Sequence, residues 1–285
     1  MMKENCLICD AKDFKEIYNS TLLKCRKCSF VTANLNISEE SLKQIYSENY
    51  FKGEEYADYL RDKDVLQKNF GDRLSFIFSK FDKAGFTNVL EIGSAYGFFA
   101  ETFTTKIKNA EFIGLDIAKE AIQYGKDVLK QNLKCEDYLS YPAPQKKYTD
   151  TFMWDVIEHL PDPEKVIEKV SKETQSGGRI YITTGDIDTF VPRRRKEKWR
   201  MIHPPSHLQY FSKKTISQLL EKNGFEVKYV KYPPVSRSVK LVFYSLFILK
   251  KKENKLFKAI YNMLPAKWYF PFNSFDIMFV VAQKK

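Results

Sequence analysis

The chain contains no apolar run approaching the 18 or so residues that a membrane-spanning helix needs, and its opening, MMKENCLICDAKDF, lacks the apolar core of a secretion signal. A cytoplasmic location is therefore expected. Histidine is scarce, with only His159, His203 and His207, and there are five cysteines in 285 residues. In a reducing compartment such cysteines point away from disulfides and toward metal binding or ordinary burial. No internal repeat or low-complexity linker appears, and 44% apolar content with 15% aromatics excludes disorder as the main state. The length suits one α/β domain plus a small accessory unit. Lysine and arginine total 47 against 36 acidic residues, a net charge of +11. That excess draws the protein toward anionic partners: nucleic acid, phosphorylated or nucleotide-linked metabolites, or acidic lipid headgroups. A lysine-rich composition with no partner behind it gives the same balance.

Cys6 and Cys9 form one C-x-x-C pair, and Cys25 and Cys28 form a second after a gap of 15 residues. This spacing reads as a four-sulfur zinc site, and DFKEIYNSTLLK between the pairs has the alternation of a short hairpin. With four thiolates no position remains for water, so the ion would be structural. Two disulfides, or four thiols without metal, are the alternatives. Cys135 stands alone in a strand-like segment and is expected to be buried.

Residues 1–36 are thus expected to form a zinc ribbon, 37–82 a helical connecting segment and 83–285 the main domain. SEESLKQIYSENYF opens the connecting segment with a helix cap, and Tyr59, Val65, Leu66, Phe70, Leu74, Ile77 and Phe78 fall at helical spacing within Glu54 to Phe81. From Thr87 onward, short apolar strands alternate with amphipathic segments: NVLEIG, EFIGLD, a brief strand near Leu133, YTDTFMWD and GRIYITT. Such alternation predicts an α/β fold with a parallel sheet wrapped by helices. SKKTISQLLEKNGFEVKYVK supplies a further helix and strand, with Gly224 as the helix stop, and FDIMFVVAQKK a last strand.

The bend after the first of these strands reads Glu91-Ile92-Gly93-Ser94-Ala95-Tyr96-Gly97, and the second strand ends in Asp116. Glycines there let a backbone approach a ligand, and a carboxylate at that position can hold ribose hydroxyls, as in dinucleotide-binding enzymes. VLEIGSAYGFF, FIGLDIAKEAIQYGK, MWDVIEHLPDPEKVI and GGRIYITTGD, in this order, resemble the class I S-adenosylmethionine-dependent methyltransferases over about Thr87 to Lys231. Ala95 stands where that family's first motif usually has a glycine. The resemblance implies a Rossmann-like, mostly parallel sheet of seven strands with helices on both faces, and that Glu91, Gly93, Ala95 and Gly97 line the methionine end of the cofactor. It also implies that Asp116 and Ile117 hold ribose and adenine, that Glu136 or Asp137 lies near the adenine amine, and that Asp155 completes the cofactor-binding set.

Methyl transfer from a sulfonium needs alignment, exclusion of water and, for some acceptors, a proton acceptor. All three histidines fall near the expected site. His207, in the proline-rich loop Trp199 to Ser212, is the first candidate for general base, and His159 the second; packing roles are the alternative for both. In some relatives a grouping like Asp155, Glu158 and His159 holds a divalent ion. His207-Leu208-Gln209-Tyr210-Phe211-Ser212 resembles a segment of enzymes that methylate sugars or lipid-linked saccharides. The expected acceptor is therefore a small molecule or saccharide, nucleotide- or lipid-linked. Arg193-Arg194-Arg195-Lys196, with Lys198 and Arg200, reads either as a grip for a phosphate on that acceptor or as a solvated loop. VKLVFYSLFILKKK, too short to span a bilayer, reads as core or as peripheral membrane contact. An RNA methyltransferase that grips its substrate with ribbon and basic surface is the main alternative, although the ribbon has only Arg26 and no N/D-P-P-Y/F signature is present. A non-catalytic cofactor-binding assembly partner is a third reading. Nothing in the sequence sets the oligomeric state.

Overall fold

The structure is a computed structural model that describes residues 5–35, 59–248, 255–265 and 267–285. The expected helix in SEESLKQIYSENYF lies outside them. Seven strands make the main sheet, in the order β10-β13-β8-β7-β4-β5-β6. These are β4 (Asn88–Ile92), β5 (Glu111–Asp116), β6 (Leu133–Cys135), β7 (Tyr148–Trp154), β8 (Thr174–Gly185), β10 (Phe225–Lys231) and β13 (Ile277–Lys284). Strand β13 runs antiparallel to both its neighbours, β8 and β10, whereas the pairings of β4 through β8 are parallel. All seven residues of β7 are buried, as expected of a parallel strand with helices on both faces.

The flanking helices carry local stop and start signals. Asp162 accepts from the Lys165 amide at the start of Pro163–Glu173, with proline in the first turn, and Ser212 forms a capping box with Thr215 ahead of Lys213–Lys222. Gly224, at φ 79°, ends that helix in the left-handed conformation. Helix α1 (Lys63–Phe78) begins later than the sequence periodicity predicts; it buries Val65, Phe70, Leu74 and Ile77.

Two expectations are overturned. Cys135 is exposed, because β6 is an edge strand from which only Leu133 turns inward. Part of the proline-rich loop forms a strand: β9 (Gln209–Tyr210) pairs with β3 (Val31–Ala33), completing a sheet with the hairpin of β1 (Phe14–Ile17) and β2 (Leu22–Cys25). Two residues cannot announce themselves as a strand; pairing with β3 defines them. Ribbon and domain also share a core, where Leu7, Ile8 and Phe30 cluster with Phe211, Ile216 and Leu219.

Leu133 fixes the geometry around the Glu91–Gly97 bend. Ideal Cβ atoms built on Gly97, Gly114 and Gly125 would lie 2.8, 2.6 and 2.3 Å from its methyl carbons. Its side chain thus occupies the room that three glycines leave.

Candidate active site

Where β4 ends the chain enters the left-handed region three times, at Gly93 (φ 77°), Ala95 (φ 45°) and Gly97 (φ 76°). Ala95 accepts this conformation at a cost of about 1–2 kcal/mol. Its N–H donates to Asp116 Oδ2 at 2.8 Å, and Asp116 Oδ1 accepts from the Ala118 amide at 2.9 Å. Each carboxylate oxygen keeps a second lone pair for a ribose hydroxyl. Ile117 is exposed beside it, and the Glu136 N–H donates to the Asp116 carbonyl at 3.0 Å, so these residues lie together at one end of the sheet. Glu136 and Asp137 are both exposed, and the Asp137 carboxylate accepts from the Leu139 amide.

A cavity of about 1170 Å³ opens beside the bend, and Glu91, Gly93, Ser94, Asp155, His159 and His207 are all in its wall. Glu91 Oε2, Ser94 Oγ and Asp155 Oδ1 are buried with no hydrogen-bond partner among the described residues. Burial, and then the nearby Asp116 charge, hold the Glu91 carboxyl well above the usual carboxylate range. Asp155, which follows the end of β7 and lines the cavity, is held at φ 55° with its N–H donating to Thr183 Oγ1 at 3.0 Å. Buried acidic oxygens left unmatched fit a cationic ligand, and S-adenosylmethionine carries an ammonium and a sulfonium.

The histidines gather in the same wall. The His159 and His207 rings lie 4.5 Å apart and those of His203 and His207 3.8 Å apart. Carbonyls only accept, so the contacts of His159 Nδ1 with Ser206 O (2.8 Å) and His207 Nδ1 with Met201 O (2.9 Å) place the proton on Nδ1 in both. Nε2 is left as the basic atom of each. Burial, then the neighbouring His159 and His203, push His207 down to about 2, so it is neutral throughout the physiological range. The ligand atoms of Glu158, His159 and His207 lie within 4.8 Å of one another; Asp155 is not part of this group.

The four ribbon sulfurs likewise lie within 4.8 Å of one another, with Cys6 to Cys28 at 3.4 Å and Cys9 to Cys25 at 3.6 Å. These separations are far beyond the roughly 2.05 Å of a disulfide bond and suit thiolates sharing one ion. Burial pushes the Cys6 thiol up to about 11. It also works against ionisation at Cys25, where N–H donation from Cys28 and Lys27 helps bring the value down to about 7.

The basic run turns away from the site. Phe190–Arg195 is a short helix continued by a 3-10 turn over Lys196–Lys198; Arg193 to Lys198 are exposed and absent from the cavity wall, where only Arg200 of the group appears. In its place the wall holds Arg61, Arg73 and Arg237, which sequence patterning did not single out.

With this geometry in view, the chain belongs to the methyltransferase-domain family, which it matches over residues 59–230, more than half its length. Its fold is that of the class I, S-adenosylmethionine-dependent methyltransferases. Over 120 residues it is 27% identical to the ubiquinone biosynthesis O-methyltransferase of Aeromonas salmonicida, covering 39% of this chain and 49% of that protein. Over 143 residues it is 27% identical to the biotin biosynthesis bifunctional protein of Cellvibrio japonicus, covering 49% and 28%. The chain spans less than two thirds of the length of these curated relatives. A solved S-adenosylmethionine-dependent methyltransferase from Archaeoglobus fulgidus superposes with a TM-score of 0.53 at 20% identity, over 80% of this chain and all of that one. The magnesium protoporphyrin IX methyltransferase of Synechocystis, solved with S-adenosylhomocysteine, gives 0.55 at 12% identity, covering 87% and 100%. At such identities the likeness is one of fold.

Proposed function

We propose that this protein transfers the methyl group of S-adenosylmethionine to a small-molecule or saccharide acceptor, nucleotide- or lipid-linked, that enters the cavity beside the Glu91–Gly97 bend. One observation carries the reading: unmatched acidic oxygens of Glu91 and Asp155 share a single cavity with His159 and His207. The acidic atoms suit the cationic donor, and the imidazoles suit an acceptor that must be oriented and deprotonated. A group held as low as His207 accepts a proton poorly, so His159 takes it and His207 positions the loop. Glu136 or Asp137, with Ile117, would contact the adenine. The four cysteines hold a structural zinc ion, and the protein works in the cytoplasm; among the described residues no helix is long and apolar enough to cross a membrane. The test is calorimetry with S-adenosylmethionine and S-adenosylhomocysteine, then transfer of labelled methyl into fractionated cell extract. Label in the low-molecular-weight or saccharide fraction is expected; label confined to RNA or protein would overturn the acceptor assignment.

A second reading is favoured by the convergence of Glu158, His159 and His207. Two neutral imidazoles and a carboxylate can hold a divalent cation, which would supply Lewis acidity at the acceptor oxygen. Titration with Mn²⁺ separates the readings: selective broadening of the His159 and His207 NMR signals, lost in Glu158→Gln, supports the metal.

A further inference from the structure

Four arginines face the cavity, and three have their charge engaged. Arg61 lies 3.9 Å over the Tyr244 ring, Arg73 sits 5.1 Å over Trp154 and feels the Asp155 carboxylate, and Arg200 pairs with Asp276 at 3.0 Å. Arg237 differs. It projects from β11 (Val235–Ser238), which pairs with β12 (Tyr269–Phe272), and its guanidinium, on the solvent-open side of the cavity wall, makes no ion pair, hydrogen bond or ring contact with any described residue. Partial burial and then the like charge of Arg200 hold its guanidinium below the usual arginine range, against the opposing pull of the Asp62 and Asp276 carboxylates. Asp276 is already committed, because it accepts from Trp199 Nε1 at 2.8 Å and from Ser274 as well as from Arg200.

Two guanidinium groups thus repel each other in one concave wall, with Asp276 already saturated and Asp62 the other carboxylate that acts on Arg237. An anionic ligand would relieve that repulsion. A lone carboxylate is satisfied by one guanidinium fork, whereas a phosphoryl group has enough oxygens for two forks arriving from separate elements. The acidic residues Glu91, Asp155 and Glu158 belong to the ends of β4 and β7, and Asp62 is the one acid on the arginine side, at the start of α1. Apart from Arg73, which lies beside Asp155, the cavity is therefore divided by charge, with a place for a cationic donor and a place for an anionic acceptor.

We infer that Arg237 and Arg200 form a recognition site for a phosphoryl or diphosphoryl group on the methyl acceptor. This rests on the reading that the cavity holds donor and acceptor together. Arg237 is the specificity residue of the pair, since its removal strands no carboxylate.

The test uses the full chain saturated with S-adenosylhomocysteine, titrated at low salt with inorganic diphosphate, inorganic phosphate and malonate. Diphosphate is expected to bind, and Arg237→Gln to weaken it about tenfold or more, the loss of a charge-assisted hydrogen-bonding group. Arg237→Lys should fall between, and Arg194→Gln, on the exposed basic helix, should change nothing. Unaltered diphosphate affinity in Arg237→Gln overturns the assignment, as does an equal loss in Arg194→Gln or malonate binding as tightly as diphosphate. Absence of S-adenosylhomocysteine binding would instead overturn the function proposed above, and this site with it.

Discussion

The backbone N–H of Ala33, in the cysteine module, donates to the carbonyl of Leu208 at 2.8 Å, one residue along from His207. Thr32 Oγ1 donates to the same carbonyl at 3.1 Å, and the Leu208 N–H donates to the Glu158 carbonyl at 2.9 Å. One residue therefore ties the ribbon to both sides of the histidine cluster.

Metal removal should be felt in the active site through this tie. Chelation, or Cys28→Ser, is expected to shift the NMR signals of His159 and His207 and to leave S-adenosylhomocysteine affinity within about threefold. A displacement of about 1 Å at such groups can cost on the order of a hundredfold in rate. Histidine signals that ignore the chelator would show that the ribbon does not hold the loop.

The unmatched Glu91 carboxyl predicts a conflict between stability and binding. Its folded pKa lies well above the unfolded value of about 4.3, so between the two the folded chain holds a proton that the unfolded chain has released. Stability contributed by this group is full below the unfolded pKa and declines as pH rises through the raised one. Glu91→Gln should flatten that decline in thermal melts of the cofactor-free protein, while weakening S-adenosylmethionine by about tenfold through loss of a charged hydrogen-bond acceptor. A variant that binds the cofactor as well as the parent would show that Glu91 does not face it.

His207 has the opposite sign. Its folded pKa of about 2 lies below the unfolded value of 6.5, so its contribution is complete above 6.5 and is lost as pH falls toward 2. At pH 5 the loss amounts to about 2 kcal/mol. His207→Gln should remove that part of the acid sensitivity, measured by denaturant unfolding between pH 7 and pH 5. An unchanged slope would mean that the histidine is open to water.

The parts of the molecule written in short local patterns were readable from sequence. The paired cysteines, the Glu91–Gly97 bend and the alternation of strands and helices each reveal themselves within a few residues. What eluded reading depends on distant partners: β9 exists through Val31 and Thr32, and Arg237 gains meaning only beside Arg200 across the cavity. Conversely, the run from Arg193 to Lys198 is conspicuous as a string of letters and yet points to solvent. Charge density along a chain does not say which face it will occupy.

The convergence of Gly97, Gly114 and Gly125 on one leucine side chain makes the effects of change at these positions interdependent. Methyl groups added at Gly114 or Gly125 should each be severely disruptive alone, and Leu133→Ala should open a void costing about 2–5 kcal/mol. Combined with Leu133→Ala, each should cost less than the sum of its parts. Mutational paths through this neighbourhood therefore have an order: the leucine must shrink before either glycine can grow, and even then Tyr96 and Ser94 still crowd the new methyl.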